Sequence, residues 1–471
     1  MAMHPGLADL LRYPLMSALA ERRTRRIAQG VSLSAAGLSH TSTNTPKPLS
    51  PLEEAVLIAS TGLTGPVMHD GPLKRPDGGD ELGSPFTHLI GKTAGSPDNS
   101  HATFFFLIND NGIWLIRNPT DREAQALLGS LPPRWEDWTE DDWLRMASSV
   151  KVQISDSRLD FPRHFPYYLG WNKQTSNVPG TTILFPVVDC TRQYINAILI
   201  VLAEPDGQRP VIVDDWQPFK PADVAEAAIW LGAHFGFPKK IPYHPIGGIK
   251  WVANGFCNRE ISAPLGMQRA LRTDYESFFL LQNLMLVGQA LGLGGWVHSS
   301  VFAPWVLQRN PAKGEFGLGF RFETPKKKWA HWPPLPSTQP NPVGIDGVLE
   351  GLCPPYVESM NDAVDVFIKE KYGPQSMYGD PTRFAAPYKD PANAEEYLRH
   401  QVPFSKKSIE YAKEICTYLY ETYGRFPAHV DAFHVPGIWV QFSHLELEYY
   451  EKFYQPSLFK RQAAHAATWK E

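Results

Sequence analysis

The chain has 471 residues, 43% hydrophobic and 20% charged, which is enough apolar material for a large core and too much for a disordered chain. Its 45 Lys and Arg against 49 Asp and Glu give a formal charge of -4, which excludes a generic nucleic-acid binder, since that needs a basic surface. Cys190, Cys257, Cys353 and Cys416 are too widely spaced for a CxxC or Cys/His zinc pattern and suit a reducing compartment.

In chain order, residues 7–28 predict an amphipathic helix kinked at Pro14, with Leu10, Leu11, Leu15, Leu19 and Ile27 near helical spacing. The opening residues lack the basic, apolar and small order of a signal peptide, and the expected compartment is the cytoplasm. Ser50, Pro51 and Glu53 form a capping-box signature that opens a second helix. Residues 62–100, rich in Gly, Pro and Asp, predict a long loop, and "TFFFLIND" (103–110) with "IWLIR" (113–117) predicts a hairpin. The tract 118–180 has no clean periodicity. Strands are expected at 181–188 and over 195–215, the latter as a hairpin turning at Pro205-Asp206-Gly207. Helices are expected near 221–235 and 274–292. The most apolar stretch, 278–296, carries Gln282, Asn283 and Gln289 and reads as a core helix rather than a membrane span. A Pro-rich connector at 330–345 leads to a mainly helical segment, 341–471.

Four places carry candidate chemistry. "ERRTRRIAQG" (21–30) concentrates Arg22, Arg23, Arg25 and Arg26, whose guanidinium forks match phosphate oxygens. A solvated helix face explains the same run without a ligand. "GKTAGSPDNSH" (91–101) places Ser96, Asn99 and Ser100 in a small-residue loop entering an apolar strand, suited to a planar heterocycle or to an ordinary turn. The 275–296 stretch ends in "GLGG", where glycines either cap the helix or admit a ligand close to the backbone. "ETPKKKW" (323–329) offers Lys326 and Lys328 to one anion, or to solvent.

Taken in this order, the four resemble the nitroreductase-like FMN-dependent oxidoreductase superfamily. The resemblance implies an α+β fold in which helices sandwich a mostly antiparallel central sheet. It assigns residues 1–340 to the FMN-binding domain, with an irregular insertion near 118–180, and leaves 341–471 as a helical extension, lid or dimer arm. It also implies that Arg22, Arg23, Thr24 and Arg26 contact the flavin, that Ser96 and Asn99 lie near its ring, and that Gly294 and Gly295 let it approach. Lys326 and Lys328 would then clamp the FMN phosphate. A homodimer with composite sites follows from the same resemblance, as does NAD(P)H as a transient hydride donor to a flavin that passes electrons to a small aromatic or unsaturated substrate. No catalytic side chain is singled out, and neither a membrane nor nucleic acid is expected as a partner.

The tail gathers His429, Asp431, His434, His444, Glu446 and Glu448 at a spacing that matches no zinc motif, so packing is the simpler expectation and no metal site is assigned. Two other readings stay open beside the flavoenzyme. One is a non-catalytic flavin-fold protein that binds a ligand or acts as a scaffold. The other is a metal-dependent enzyme using the C-terminal histidines.

Overall fold

The computed structural model describes residues 3–69, 84–165, 167–170, 172–214, 228, 244–265, 271–300, 303–308, 317–323, 341–374, 376, 378–400, 404–430 and 437–469. It opens with two short helices, α1 (Pro5–Arg12) and α2 (Leu15–Glu21), separated at Pro14. The helix expected to reach residue 28 stops at Glu21, and the arginines lie on extended chain. Backbone pairing is the reason: Arg25 N donates to Gly295 O (3.2 Å) and Glu446 N donates to Ile27 O (2.9 Å). These strand-like bonds displace the helical ones that the residues could have made locally.

Helix α3 (Pro51–Ala59) has the full capping box, with Glu53 N donating to Ser50 Oγ (3.2 Å) and Ser50 N donating to Glu53 Oε2 (2.6 Å). The expected hairpin forms as β1 (Thr103–Asn109) and β2 (Gly112–Ile116). Strand β3 (Lys151–Ser155) follows the helix Glu140–Val150 and pairs with β2. Next comes β4 (Thr182–Asp189). The run "INAILIVL" then departs from the expected strand: Thr191–Leu202 is a helix, and only Pro210–Asp214 beyond the 205–207 turn is a strand. A short apolar run is ambiguous by pattern, and here Tyr194, Ile195, Ile198, Leu199 and Leu202 pack at helical spacing into one core. The long helix α4 (Leu271–Leu291) leads through Gly292 into β5 (Gly294–His298). The chain closes with β6 (Trp439–Ser443) and α5 (Lys460–Thr468).

The central sheet runs β5-β6-β4-β1-β2-β3 with every neighbouring pair antiparallel, and His429–Val430 adds a short antiparallel pairing to β4. A parallel pair, Pro210–Asp214 with Asn258–Pro264, belongs to a separate small sheet. The architecture is therefore mixed α and β with a mostly antiparallel sheet. Both faces of the sheet are covered, so β1 reads as a continuous apolar run. Phe105 and Leu107 face α3 and α4 together with Leu184, Val440 and Phe442, while Phe106 and Ile108 face Phe185, Trp439, Val306 and Phe320.

Strand β6 corrects the expected division at residue 340. Although it comes from the C-terminal segment, it lies between β5 and β4 and bonds to both, so this part of the chain completes the central sheet. Residues 341–345 also form a strand and not a connector. The helix expected near 221–235 falls outside the described residues apart from 228. Among the described residues no helix is long and apolar enough to cross a membrane.

Candidate functional site

An extended chain turns successive side chains to opposite sides, and the arginine segment shows the consequence. Arg25 points inward and is 5% exposed. Its guanidinium donates to Gln289 Oε1 (2.9 Å), Leu458 O (2.7 Å from Nε) and Glu21 O (3.2 Å), which ties α2, α4 and the C-terminal segment together. Burial pulls its pKa down to about 10. Arg23, Thr24 and Arg26 are exposed and Arg22 is half-buried. Arg26 lies over the ring of Trp296, 5.7 Å from the centroid, and donates to Asn172 Oδ1 (3.3 Å). Among the described residues, no ion pair joins Arg22, Arg23 or Arg26 to a carboxylate.

Beneath Arg26, β5 turns Trp296 and His298 to one face, because residues two apart on a strand share a side. Both are buried, and their rings stack 3.8 Å apart at 20°. Trp439 Nε1 donates to His298 Nδ1 (2.7 Å). An indole N–H can only donate, so Nδ1 must accept and the neutral imidazole carries its proton on Nε2. The indole Nε1 of Trp296 is buried without a hydrogen-bond partner, while His298 is buried beside the Gln441 amide. One guanidinium, that of Arg26, thus covers a buried indole N–H that has no partner, an arrangement open to an acceptor group.

The other residues assigned to the cofactor do not join this site. A Cβ on Gly294 would lie 2.3 Å from Leu445 Cδ2, and one on Gly295 would lie 2.9 Å from Phe442 Cε1. The space beside these glycines is filled by the protein's own side chains, so packing accounts for both without a ligand. Ser96 Oγ donates to Glu276 Oε2 (3.0 Å), and Asn99 Nδ2 donates to His88 O (2.7 Å) and Ile90 O (3.1 Å). Asn99 thus closes a turn, at φ 50°. Ser96 touches α4 at Glu276 and Arg25 touches it at Gln289, which separates the two loops by about 20 Å along the helix axis at ~1.5 Å per residue. Lys326 and Lys328 lie outside the described residues.

Near Ser96 the structure holds a second polar group that the sequence did not single out. Lys92, Thr103, Arg117 and Asn118 line a pocket floored by Phe105, Ile116 and Met146. Lys92 Nζ donates to Asn118 Oδ1 and Thr103 O, and burial pulls its pKa down to about 8. Burial raises the pKa of Glu276, which Lys92 partly opposes, and Glu276 Oε1 has no hydrogen-bond partner. A carboxylate inside the apolar run "YESFFLL" was the one available signal.

The tail histidines do not converge on one another. His429 Nδ1 bonds Pro342 O (3.1 Å) at the far end of β4, while Asp431 and His434 lie outside the described residues. Glu446 accepts from Gly30 N (3.1 Å), Ser42 Oγ and Asn44 Nδ2 (2.7 Å), which closes the 30–44 loop. His444 instead meets Glu53 of α3 and His465 of α5. No family model matches the sequence, and no curated protein matches it.

Proposed function

We propose that the protein is an FMN-dependent oxidoreductase of nitroreductase-like type, acting as a homodimer on a small aromatic or unsaturated substrate. One observation carries this reading. The segments 22–26 and 294–298, far apart in sequence, lie side by side, with Arg25 N on Gly295 O and Arg26 over Trp296. Between them they present three guanidinium groups without carboxylate partners among the described residues and one buried, unpartnered N–H donor, Trp296 Nε1.

In this reading Arg22 and Arg26, on one side of the extended segment, hold the phosphate, because a planar guanidinium fork matches phosphate oxygens. Trp296 Nε1 donates to a ring acceptor and orients the heterocycle. When bound, FMN supplies hydride exchange with a reduced nicotinamide and with the substrate. The chain's own part is to bind, align and exclude water, and the net positive charge of the arginines favours the anionic reduced form. Ser96, Asn99, Gly294 and Gly295 have no role in it, because each is already engaged by the protein. The exposed Tyr275, Phe278 and Phe279 on α4, with Leu15, Met16 and Leu19 on α2, supply apolar surface for a second copy.

The test is the cofactor content of purified protein. The expected result is one FMN per chain, bleached by NADPH and recoloured by air. Arg22→Ala/Arg26→Ala should lower FMN affinity by more than about tenfold, given ~1.5–3 kcal/mol for a charge-assisted bond. Full FMN retention in that variant, or failure of the wild type to take up added FMN, overturns the proposal.

A further inference from the structure

The Glu53, His444 and His465 side chains meet where α3, the turn after β6 and α5 come together, and all three residues are buried (2%, 8% and 8% exposed). Glu53 Oε1 lies 3.1 Å from His444 Nε2 and 2.7 Å from His465 Nε2. The outward nitrogen of each ring is also occupied: His444 Nδ1 bonds Lys47 O (3.1 Å) and His465 Nδ1 bonds Leu291 O (2.8 Å). A carbonyl oxygen can only accept, so both rings carry a proton on Nδ1.

That leaves each Nε2 as a lone pair in the neutral ring, or as a donor only if the ring is an imidazolium. In the neutral rings both lone pairs are aimed at a carboxylate oxygen that also offers lone pairs. Donation into Oε1 would require two imidazolium ions, with ring centroids 5.1 Å apart, inside a buried pocket. A cation between the three atoms satisfies all of them at once. Imidazole rings held by a backbone carbonyl at the outer nitrogen are the usual arrangement around a bound metal. Glu53 is held in the same way, because its other oxygen, Oε2, accepts from Ser50 N within the capping box.

We propose that Glu53 Oε1, His444 Nε2 and His465 Nε2 bind one divalent first-row transition ion, for which zinc is the probe. Ligand bonds of ~2.0–2.2 Å set at tetrahedral or octahedral angles separate neighbouring ligands by about 3.0–3.5 Å. The two Glu53–His distances, 3.1 Å and 2.7 Å, come within that range by shifts of a few tenths of an ångström, and the two histidine nitrogens, within 4.8 Å of one another, have to close the rest by side-chain rotation. Glu446 lies in a second group with His40 and Glu448, but its carboxylate already accepts from Gly30, Ser42 and Asn44 and Glu448 is exposed. The ion's work here is structural. It pins the C-terminal helix to α3 and to the Gly292 turn, where the Gly292 Cα approaches His465 so closely that an added Cβ would lie 3.3 Å from its Cβ. This inference is independent of the flavin reading.

The experiment uses the full chain, stripped with chelator, reloaded with Zn2+, desalted and measured by elemental analysis and thermal unfolding. The expected result is one zinc per chain and a higher Tm on reloading. Loss of an outer partner alone weakens metal sites by about 10–100-fold, so Glu53→Gln and His465→Gln should weaken binding by at least about 100-fold. Glu53→Gln keeps the capping box, because Gln serves at that position too. Should a variant fail to fold, the wild type is reloaded with Co2+, and visible bands of a nitrogen- and oxygen-ligated ion are expected. A wild type that takes up no zinc and shows no cobalt bands overturns the proposal, as does equal zinc content in wild type and folded variants.

Discussion

Replacing Gly294 by Ala separates a packing role from a ligand role. Gly294 sits in ordinary strand conformation on β5, so the backbone tolerates Ala, and the only new demand is space. The added Cβ would lie 2.3 Å from Leu445 Cδ2, 3.0 Å from Leu445 Cγ and 3.1 Å from Arg25 O. Leu445 is 4% exposed and packs with Ile27, Ala28 and Tyr450, so it cannot swing into solvent without losing its own burial. Overpacking of this kind costs about 1–3 kcal/mol. Leu445→Ala alone removes a buried leucine and costs about 2–5 kcal/mol. In the double variant the new methyl group occupies part of the vacated space, so the two effects should fall short of their sum by about 1–2 kcal/mol. Urea unfolding of wild type, both single variants and the double variant measures that coupling. A sum additive within about 0.5 kcal/mol, with FMN affinity lost in Gly294→Ala at unchanged stability, would show that a ligand and not Leu445 owns the space.

Two further outcomes are expected. Lys371 is 2% exposed, and burial pulls its pKa down to about 7, so the folded protein releases this proton well before the unfolded chain does. The unfolded state therefore binds more protons between about pH 7 and pH 10, and the stability linked to this residue rises with pH there and is flat below about pH 7. Relative to Lys371→Met, the wild type should gain up to about 1.4 kcal/mol per pH unit across that window in denaturant midpoints at pH 7 and pH 9; a constant difference rejects the buried-amine account. Phe278→Asp/Phe279→Asp, on the exposed part of α4, should convert a dimer to monomer in sedimentation equilibrium without loss of fold, and an unchanged mass places any self-association elsewhere.

Local chemistry explains what could be read ahead of the structure. The capping box at Ser50 and Glu53, the hairpin over 103–116, β4 and the long helix before "GLGG" rest on neighbouring residues that satisfy one another's backbone groups or repeat one period. Where a partner from a distant part of the chain outbid the local one, pattern failed. The arginine helix gave way to an extended strand against Gly295, and the strand expected over 195–202 became a buried helix once apolar neighbours surrounded it. The candidate sites divide in the same way. Positive charge at 22–26 was visible, yet which arginine points inward follows from a register set by Gly295 and Ile27. Glu53 was legible as a cap, but its other oxygen faces two histidines from β6's far end and from α5, which no spacing along the chain could bring to it. Sequence determines what each residue can bond; only the closed sheet, with β6 inserted between β5 and β4, decides which distant groups come within reach.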